Sequence, residues 1–389
     1  MPINRYHISI AIGICLTTIG AVIFFSPAAI PFSPLGSGPT QVANQPVNNY
    51  IILGFVPYWN LKKLSPIAME SITNIAYFNL HLDKNGDIYT MVNRREEDPS
   101  YTNYKRILNH VIDLGDKPLT ITFMPIDQEA LISLLSSPTN RSAAITNIVN
   151  TLTESHASGV NIDFEPLGDI PPSLRDAFTS FMQELHTELA QQDTIKLTTI
   201  SIYPSAVSKP RIWDLAALAP LANDFVVMTY DYTMPITDNA GPNAPLRGSN
   251  QLFDNDVIKN IAEITNLVPP GKILLGIPFY GYEWRTVDDT KYSPTLGRGT
   301  VASLERIQAM LDDQTLKLLW DHNTLTPYGI ASVSGQTSQI YFENEASIGL
   351  KLEFVKASHL GGIAIWALGY EGEDPSLWNS ITTALSSRP

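Results

Sequence analysis

The residues best suited to chemistry lie in one short run of alternating polar and apolar side chains, from Gly159 to Glu165. Its polar members, Asn161, Asp163 and Glu165, are two positions apart. This is the period of a β-strand, so all three side chains leave the same face of one strand. The apolar members between them are bulky, as in strands that are packed on both sides. We therefore expect the polar face to point into a closed interior.

Asp163 and Glu165 also predict a particular kind of chemistry. Two carboxylates this close repel each other, so one of them should keep its proton near neutral pH. A carboxylic acid that holds its proton there can act as a general acid. Pro166 follows and ends the strand, which places Glu165 at its carboxyl end. From these residues alone, a strand end with solvated acidic side chains is an equally acceptable interpretation.

The bulk composition is that of a large, well-buried globular protein, with 389 residues of which 44% are hydrophobic and 16% charged. The formal net charge of −13 and the lack of a basic patch argue against nucleic acid as a partner, whereas a neutral substrate is compatible. The single cysteine, Cys15, rules out a disulfide within the chain. Because the seven histidines have no HxxxH or HxH spacing, we expect no metal site and no cofactor.

The N-terminal region predicts a membrane segment and a tether. Residues 8–25 form an uncharged, mostly apolar run of 18 residues preceded by Arg5, and a helix of this length spans roughly 27 Å. We favour an uncleaved signal-anchor in residues 1–30 over a cleaved signal peptide. Arg5 then orients the chain as a single-pass cell-membrane protein with its catalytic domain outside the cytoplasm, or as a secreted protein after cleavage. Residues 31–49 are rich in Pro, Gly, Ser, Gln and Asn, which predicts a flexible linker.

Strands and helices alternate from residue 50 onward. Strands are predicted at residues 51–56, 72–80, 119–124, 160–165, 195–202, 225–230, 273–279 and 362–366. Helices are predicted at residues 101–114, from 140 to the glycine at 159, and at 173–191, 213–221, 257–264, 347–357 and 376–385. Eight strands interleaved with helices predict an α/β fold, a (β/α)8 TIM barrel over residues 50–389. A doubly wound open sheet would need a glycine-rich turn after the first strand, where Pro57, Tyr58 and Trp59 stand instead.

The segment between the seventh and eighth strands is too long for a single helix. About residues 283–343 contain a helical piece at 301–311 and short strands at 317–320, 330–333 and 339–342. We interpret this segment as a small α+β insertion between strand seven and its following helix, forming one wall of a cleft.

The carboxyl ends of the strands, where barrel active sites lie, combine one acid pair with aromatic residues. The residues at these ends are Tyr58, Trp59, Phe78, Asn79, Met124, Asp163, Glu165, Tyr203, Met228, Tyr230, Asp231, Tyr280, Trp284 and Trp366. Aromatic rings beside carboxylates suit pyranose sugars, because the C–H face of the sugar stacks on a ring while its hydroxyls form hydrogen bonds.

The run from Ser158 to Glu165 resembles the DxxDxDxE motif of glycoside hydrolase family 18, the chitinase-like enzymes. Segments 54–59, 228–232, 276–281 and 361–366 agree with the family in the same order, and the resemblance covers about residues 51–385. With Asn161 in the motif, and with segments 340–345 and 373–375, the chain is most similar to the bacterial branch of spore-germination and cortex-acting enzymes.

The resemblance implies three catalytic roles. Glu165 would be the general acid that protonates the glycosidic oxygen and then the base that activates water. Asp163 would hold the substrate's acetamido N–H and stabilise an oxazolinium ion. Tyr230 would donate a hydrogen bond to the acetamido carbonyl oxygen. The nucleophile would be the substrate's own acetamide.

The resemblance also implies substrate-binding residues. Asp231 would anchor a sugar hydroxyl, and Trp366 would lie beneath the distorted sugar. Tyr58, Phe78 and Met228 would shape the acetyl pocket, although core packing is nearly as acceptable an interpretation for these three.

The chain departs from the motif at two positions. The first acid of the motif is Ser158 here and the second is Asn161. In the family both positions help to manage the charge of Asp163 as it turns between Asn161 and Glu165, and Asn161 is also expected among the substrate-binding residues. We expect the loss of these two charges to alter the pH profile more than to abolish activity. The family's SxGG signature on strand three is also absent, and residues 122–125 stand there instead.

The sequence as a whole predicts an extracytoplasmic glycosidase that cleaves β-1,4-linked N-acetylhexosamine polymers, either chitin oligomers or peptidoglycan glycan. Its expected partners are this polysaccharide and, through the N-terminal helix, the membrane. The alternative is a non-catalytic lectin-like protein that binds chitin or peptidoglycan on the same barrel. Such proteins usually lose the Glu or the Asp of the motif, and this chain keeps both as Glu165 and Asp163. A third interpretation is a role in assembly at the cell surface. Nothing in the sequence indicates an oligomeric state.

Overall fold

A computed structural model describes residues 50–110, 113–194, 196–249, 252–333 and 335–386 of the chain. The predicted signal-anchor at residues 1–30 and the linker at 31–49 lie outside these residues, so both stay predictions. Among the helices of the described part, none is both long enough and apolar enough to span a bilayer.

Eight parallel strands form a closed barrel in which each strand pairs with its neighbours in the sequence and the last pairs with the first. The strands are β1 Ile51–Pro57, β2 Asn74–Leu82, β3 Leu119–Pro125, β4 Gly159–Ile162, β5 Leu197–Ile202, β6 Asp224–Val227, β7 Ile273–Pro278 and β8 Gly362–Trp366. This confirms the predicted (β/α)8 architecture.

Helices lie between the barrel strands, and side chains cap most of them. They are α1 Pro66–Ser71, α2 Pro99–Leu108, α3 Gln128–Ser136, α4 Pro138–Glu154, α5 Pro172–Leu189, α6 Leu215–Leu218, α7 Val257–Ile264, α8 Leu304–Asp312, α9 Glu345–Ala357 and α10 Pro375–Ala384, with short 3-10 turns at Leu61–Lys63 and Pro270–Lys272. The sequence prediction lacked α3, whose first turn is capped by the carboxylate of Asp127.

Several predicted elements end earlier in the structure than in the sequence prediction, and the backbone shows why for two of them. The helix predicted at 101–114 ends at Leu108, and His110 has a left-handed φ of 52° that a helix cannot continue through. The strand predicted at 225–230 ends at Val227. Beyond it the N–H groups of Thr229 and Tyr230 bond to carbonyls only two residues back, so the chain turns and leaves the ladder.

The side chains of the run from Gly159 alternate between two opposite faces, as predicted. Phe164 is buried outside the barrel and packs on Phe178 and Phe181 of α5, with ring centroids 5.8 and 5.3 Å away. Asn161 and Asp163 are also buried, on the opposite face that points into the barrel. Strand β4 itself ends at Ile162, so both predicted catalytic acids lie on the segment that follows it.

A five-stranded antiparallel sheet with one helix, α8, forms the insertion between β7 and α9, as predicted. Its strands in chain order are Tyr280–Thr286, Thr300–Ser303, Leu316–Asp321, Thr326–Val333 and Gln336–Tyr341. The sheet begins at Tyr280, three residues before the predicted start at 283. This earlier start places the first tyrosines of the insertion next to the end of β7.

A buried ion pair joins the end of the insertion to the helix layer. Lys351 on α9 donates a 2.6 Å hydrogen bond from Nζ to the carboxylate of Glu343, and both side chains are 0% exposed. Burial raises the pKa of Glu343, and the charge of Lys351 acts in the opposite direction. Each charge therefore depends on the other to remain in the interior.

Replacement of Lys351 by methionine is expected to lower the free energy of unfolding by about 3–5 kcal/mol, because it leaves a buried carboxyl group unpaired. Chemical denaturation at pH 7 measures this loss. The deficit should shrink as the pH falls, since a protonated Glu343 no longer needs a cation. The double variant Lys351→Met with Glu343→Gln should recover most of the stability, and a single variant as stable as the parent would contradict the account.

Candidate active site

A cleft of about 980 Å³ opens at the carboxyl ends of the barrel strands. The loops after β4, β5 and β6 and the first strand of the insertion form its walls. Seven of the nine predicted site residues line it, namely Phe78, Asp163, Glu165, Met228, Tyr230, Asp231 and Trp366. The other two, Tyr58 and Asn161, do not appear on its surface.

Asp163 and Glu165 form the acid pair of the cleft. Asp163 is only 3% exposed, and its Oδ1 has no hydrogen-bond partner among the described residues. Burial, and then the charge of Glu165, raise the pKa of Asp163 well above its ordinary value. Burial also raises the pKa of Glu165. A hydrogen bond from Tyr203 lowers that pKa, and the charge of Asp231 raises it. Both directions favour retention of a proton on the pair, which is the state a general acid requires.

Asn161 lies one layer below the acid pair. Its amide is fully buried and bonds to Ser201 at 3.1 Å and Thr122 at 3.4 Å. Ser201 also interacts with Asp163 and lowers the pKa of that carboxyl group. The structure thus places Asn161 beneath the cleft, where it reaches Asp163 through Ser201. The reason is depth along the strand, since Asn161 still belongs to β4 and Asp163 lies beyond it.

Aromatic rings from the ends of β1, β2 and β8 line part of the cleft. Phe78 and Trp366 meet at a centroid distance of 4.5 Å and Phe55 lies 6.0 Å from Trp366. Tyr58 is half-buried outside this group, edge-on to Trp59 at 4.9 Å. Along β1 the side chains alternate, so that Phe55 faces the barrel interior while Val56 and Tyr58 pack with the core outside it, and Tyr58 therefore points away from the cleft.

Two tyrosines hold Asp231, of which Tyr280 was among the predicted strand-end residues and Tyr282 was not predicted. The hydroxyls of Tyr280 and Tyr282 both donate to Oδ1 of Asp231, and Asn243 Oδ1 accepts the Asp231 backbone N–H at 2.8 Å. Burial raises the pKa of Asp231, and the two phenols lower it. The two-residue spacing of the tyrosines on one strand was the available signal for this contact.

The loop after β5 brings further residues close to Glu165. Tyr203 bonds to Glu165, and the Arg211 guanidinium lies over the Tyr203 ring at 4.5 Å from its centroid. Lys209 and Arg211 both line the cleft. Tyr203 was recognisable as a strand-end residue, but no periodic pattern in the sequence marks the two cations of the loop.

Replacement of Asp231 by asparagine is expected to shift the alkaline limb of the pH–rate profile toward lower pH. The charge of Asp231 helps to raise the pKa of Glu165, so its removal lowers that pKa and the acid loses its proton sooner. A plot of kcat/KM against pH measures the shift. An unmoved or alkaline-shifted limb would show that Glu165 does not titrate as the catalytic acid in this environment.

Comparison with known proteins agrees with this geometry. The model of the family described as glycosyl hydrolases family 18 matches residues 51–371. The putative sporulation-specific glycosylase YdhD of Bacillus subtilis is 24% identical over 311 residues, which cover 79% of this chain and 68% of the relative. The cortical fragment-lytic enzyme of Bacillus anthracis is 23% identical over 61% of this chain, and the match spans about half (52%) of that enzyme.

A solved structure shares the fold at low identity. The family 18 N-acetylglucosaminidase from Paenibacillus barengoltzii superposes with a TM-score of 0.72 and 21% identity, covering 87% of this chain and 100% of that chain. At this identity the likeness establishes the fold alone.

Proposed function

Because the chain belongs to family 18 of the glycosyl hydrolases, we propose that it cleaves β-1,4-linked N-acetylhexosamine polymers with retention of configuration, using the substrate's acetamide as nucleophile. The supporting observation is that Asp163, Glu165 and Tyr230 line one cleft and interact electrostatically. Family membership makes the chain a glycosidase. The polymer that it cleaves, the linkage and the use of the acetamide as nucleophile are proposed.

Glu165 would supply the proton for bond cleavage. As the glycosidic C–O bond breaks, the leaving sugar oxygen takes this proton, and the acetamide carbonyl oxygen attacks the anomeric carbon to form a cyclic oxazolinium ion. Water then opens this ion at the same carbon, and the Glu165 carboxylate removes a proton from that water. One protein carboxyl group thus carries out both proton transfers, and the raised pKa of Glu165 favours the first of them.

Asp163 and Tyr230 would hold the acetamide in position to react. The unpaired Oδ1 of Asp163 can accept the acetamido N–H, and the carboxylate opposes the positive charge of the oxazolinium ion. Burial beside Asp163 and Glu165 raises the pKa of Tyr230, so its hydroxyl keeps its proton and can donate to the acetamide oxygen. The edge-on contact between Phe78 and Trp366 would shape the apolar surface beneath the sugar.

The polymer is proposed to lie outside the cytoplasm. A signal-anchor at residues 1–30 and a linker at 31–49 would tether the catalytic barrel to the cell membrane, or cleavage would release it. The names of the Bacillus relatives refer to sporulation and to cortical fragments, and that of the Paenibacillus structure to N-acetylglucosamine. Peptidoglycan glycan and chitin oligomers are therefore the two substrates to compare.

Product analysis tests the proposal. The full chain is incubated with chitin oligosaccharides and with purified peptidoglycan, and new reducing ends are identified by mass spectrometry. We expect N-acetylhexosamine reducing ends from at least one polymer. Tight binding without products would support the lectin-like alternative, and neither binding nor products from either polymer would contradict the proposal.

A further inference from the structure

Two cations lie on a cleft whose other charged lining residues are acids. The lining carries the carboxyl groups of Asp163, Glu165, Asp231 and Asp254, and the only Lys or Arg residues among its described members are Lys209 and Arg211. The whole chain has 25 Lys and Arg residues against 38 Asp and Glu residues. Two cations at nearly adjacent positions on one wall therefore form a local reversal of charge.

Within the described part of the chain, these two cations are not used for ion pairs of the protein itself. Among the described residues neither side chain forms a salt bridge. Lys209 is exposed, and the guanidinium of Arg211 lies over the Tyr203 ring and forms no side-chain hydrogen bond to another described residue. Their charges are thus available to an anion in the cleft.

The loop that carries the two cations is fixed by hydrogen bonds. The Lys209 N–H donates to the Ser205 carbonyl at 2.8 Å, and Arg175 Nε donates to the Arg211 carbonyl at 3.2 Å. The Trp213 N–H donates to the Pro210 carbonyl at 2.7 Å, which closes the end of the loop. A fixed loop lowers the entropy cost of binding, so the cations are arranged to meet a ligand group at a defined place.

The position of the loop indicates where along a bound glycan the anionic group would lie. Arg211 contacts Tyr203, and Tyr203 bonds to Glu165, so the cations are two side-chain contacts from the proposed proton donor. An anionic group held there would belong to a sugar next to the cleaved bond. A chitin oligomer carries no such group, whereas a muramoyl glycan carries carboxylates.

We infer that Lys209 and Arg211 select N-acetylhexosamine glycans bearing a carboxylate beside the cleavage site, so that an acidic, muramoyl-type glycan is preferred over a neutral one. This inference rests on the proposed function, of which it specifies the substrate class. Arg presents a fork of donors that matches a carboxylate, and Lys adds a mobile charge. The carboxylate can be the lactyl group of the sugar or belong to a peptide attached to it.

Three matched glycans test the inference on the full chain. They are a muramoyl oligosaccharide with free lactyl carboxylates, its lactyl methyl ester, and the same glycan with peptides amide-linked to the lactyl group. Competition kinetics give the kcat/KM ratio of each charged glycan to the ester, and isothermal titration calorimetry gives the matching affinity ratio. We expect the parent chain to prefer a charged glycan by at least about fivefold, the scale of a partly exposed ion pair.

Variants assign that preference to the two cations. Lys209→Gln, which changes an exposed side chain, and the double variant Lys209→Gln with Arg211→Gln should each lower the ratio, the double variant to about one. Lys317→Gln makes the same change of net charge on the exposed face of the insertion and should keep the parental ratio. Preference for the free acid assigns the charge to the lactyl group, and preference for the peptide glycan assigns it to the peptide.

The outcomes separate this inference from the proposed function. Equal turnover and equal binding of acid, peptide glycan and ester by the parent would overturn the inference while the glycosidase proposal stands. A ratio unchanged in the double variant would also overturn it. Absence of turnover with a calorimetric preference for the acid would count against the proposed mechanism and still support recognition of the carboxylate.

Discussion

Replacement of Glu165 by glutamine is expected to lower kcat at least about a hundredfold, with the substrate dissociation constant within about threefold of the parental value. Glutamine keeps the size of the side chain and can still accept the hydrogen bond from Tyr203, but it has no proton to give to the glycosidic oxygen. The loss should therefore appear in turnover and leave binding nearly intact. Single-turnover kinetics on an N-acetylhexosamine oligomer, together with calorimetric affinities, measure both quantities.

A matched change elsewhere controls for the loss of one negative charge. Glu353 lies on the exposed face of α9, and Glu353→Gln should leave kcat at the parental value. Parental turnover in Glu165→Gln would contradict the assignment of Glu165 as proton donor. Equal losses of affinity and turnover would instead indicate that Glu165 mainly binds substrate.

Replacement of Asp163 by asparagine is expected to lower kcat by about 10²–10³, the scale found when one preorganised stabilising group is removed from an active site. The carboxylate is buried, and its unpaired oxygen is available to the acetamide, so its charge would act on the oxazolinium ion at short range. Asparagine has similar volume but lacks that charge. The measurement is kcat on an acetamido substrate, with Ser201→Ala as a milder change in the same network.

The same substitution should not destabilise the fold. Burial raises the pKa of Asp163 above the ordinary carboxyl value that it has in the unfolded chain. Stability contributed by a group of this kind is present at low pH and is lost as the pH rises through the folded-state pKa. Asparagine does not ionise, so the variant does not lose stability as the pH rises. Asp163→Asn should therefore be at least as stable as the parent at pH 7 by chemical denaturation. A large drop in both stability and activity would indicate a structural role.

Much of the fold could be predicted because local pattern and tertiary burial agree. The alternation after Gly159 holds because Phe164, on one face of the run, packs on the phenylalanines of α5, while Asn161 and Asp163, on the other face, are buried in the barrel interior. Predicted ends failed where local hydrogen bonds turned the chain, as they do after Val227. Helix α3 was not predicted, although its buried residues follow helical spacing. It starts at the cap of Asp127, and Ser137 alone separates it from α4.

The site could be predicted only in part, because depth and register are tertiary properties. The motif located Asp163 and Glu165, but the sequence does not show that β4 stops at Ile162, which leaves Asn161 one layer lower. The contact of Tyr282 with Asp231 depends on where the insertion sheet begins, and that register follows from strands distant in the sequence. Lys209 and Arg211, the cations of the β5–α6 loop, belong to no periodic sequence pattern that would predict their place in the cleft.

The anomeric form of the first product tests the proposed chemistry most directly. The full chain is mixed with an N-acetylhexosamine oligomer in an NMR tube, and the new anomeric proton is observed before mutarotation proceeds. Attack by the acetamide followed by attack of water at the same carbon predicts that the β-anomer accumulates first. Early accumulation of the α-anomer would contradict participation of the substrate's acetamide and the roles assigned here to Asp163 and Tyr230.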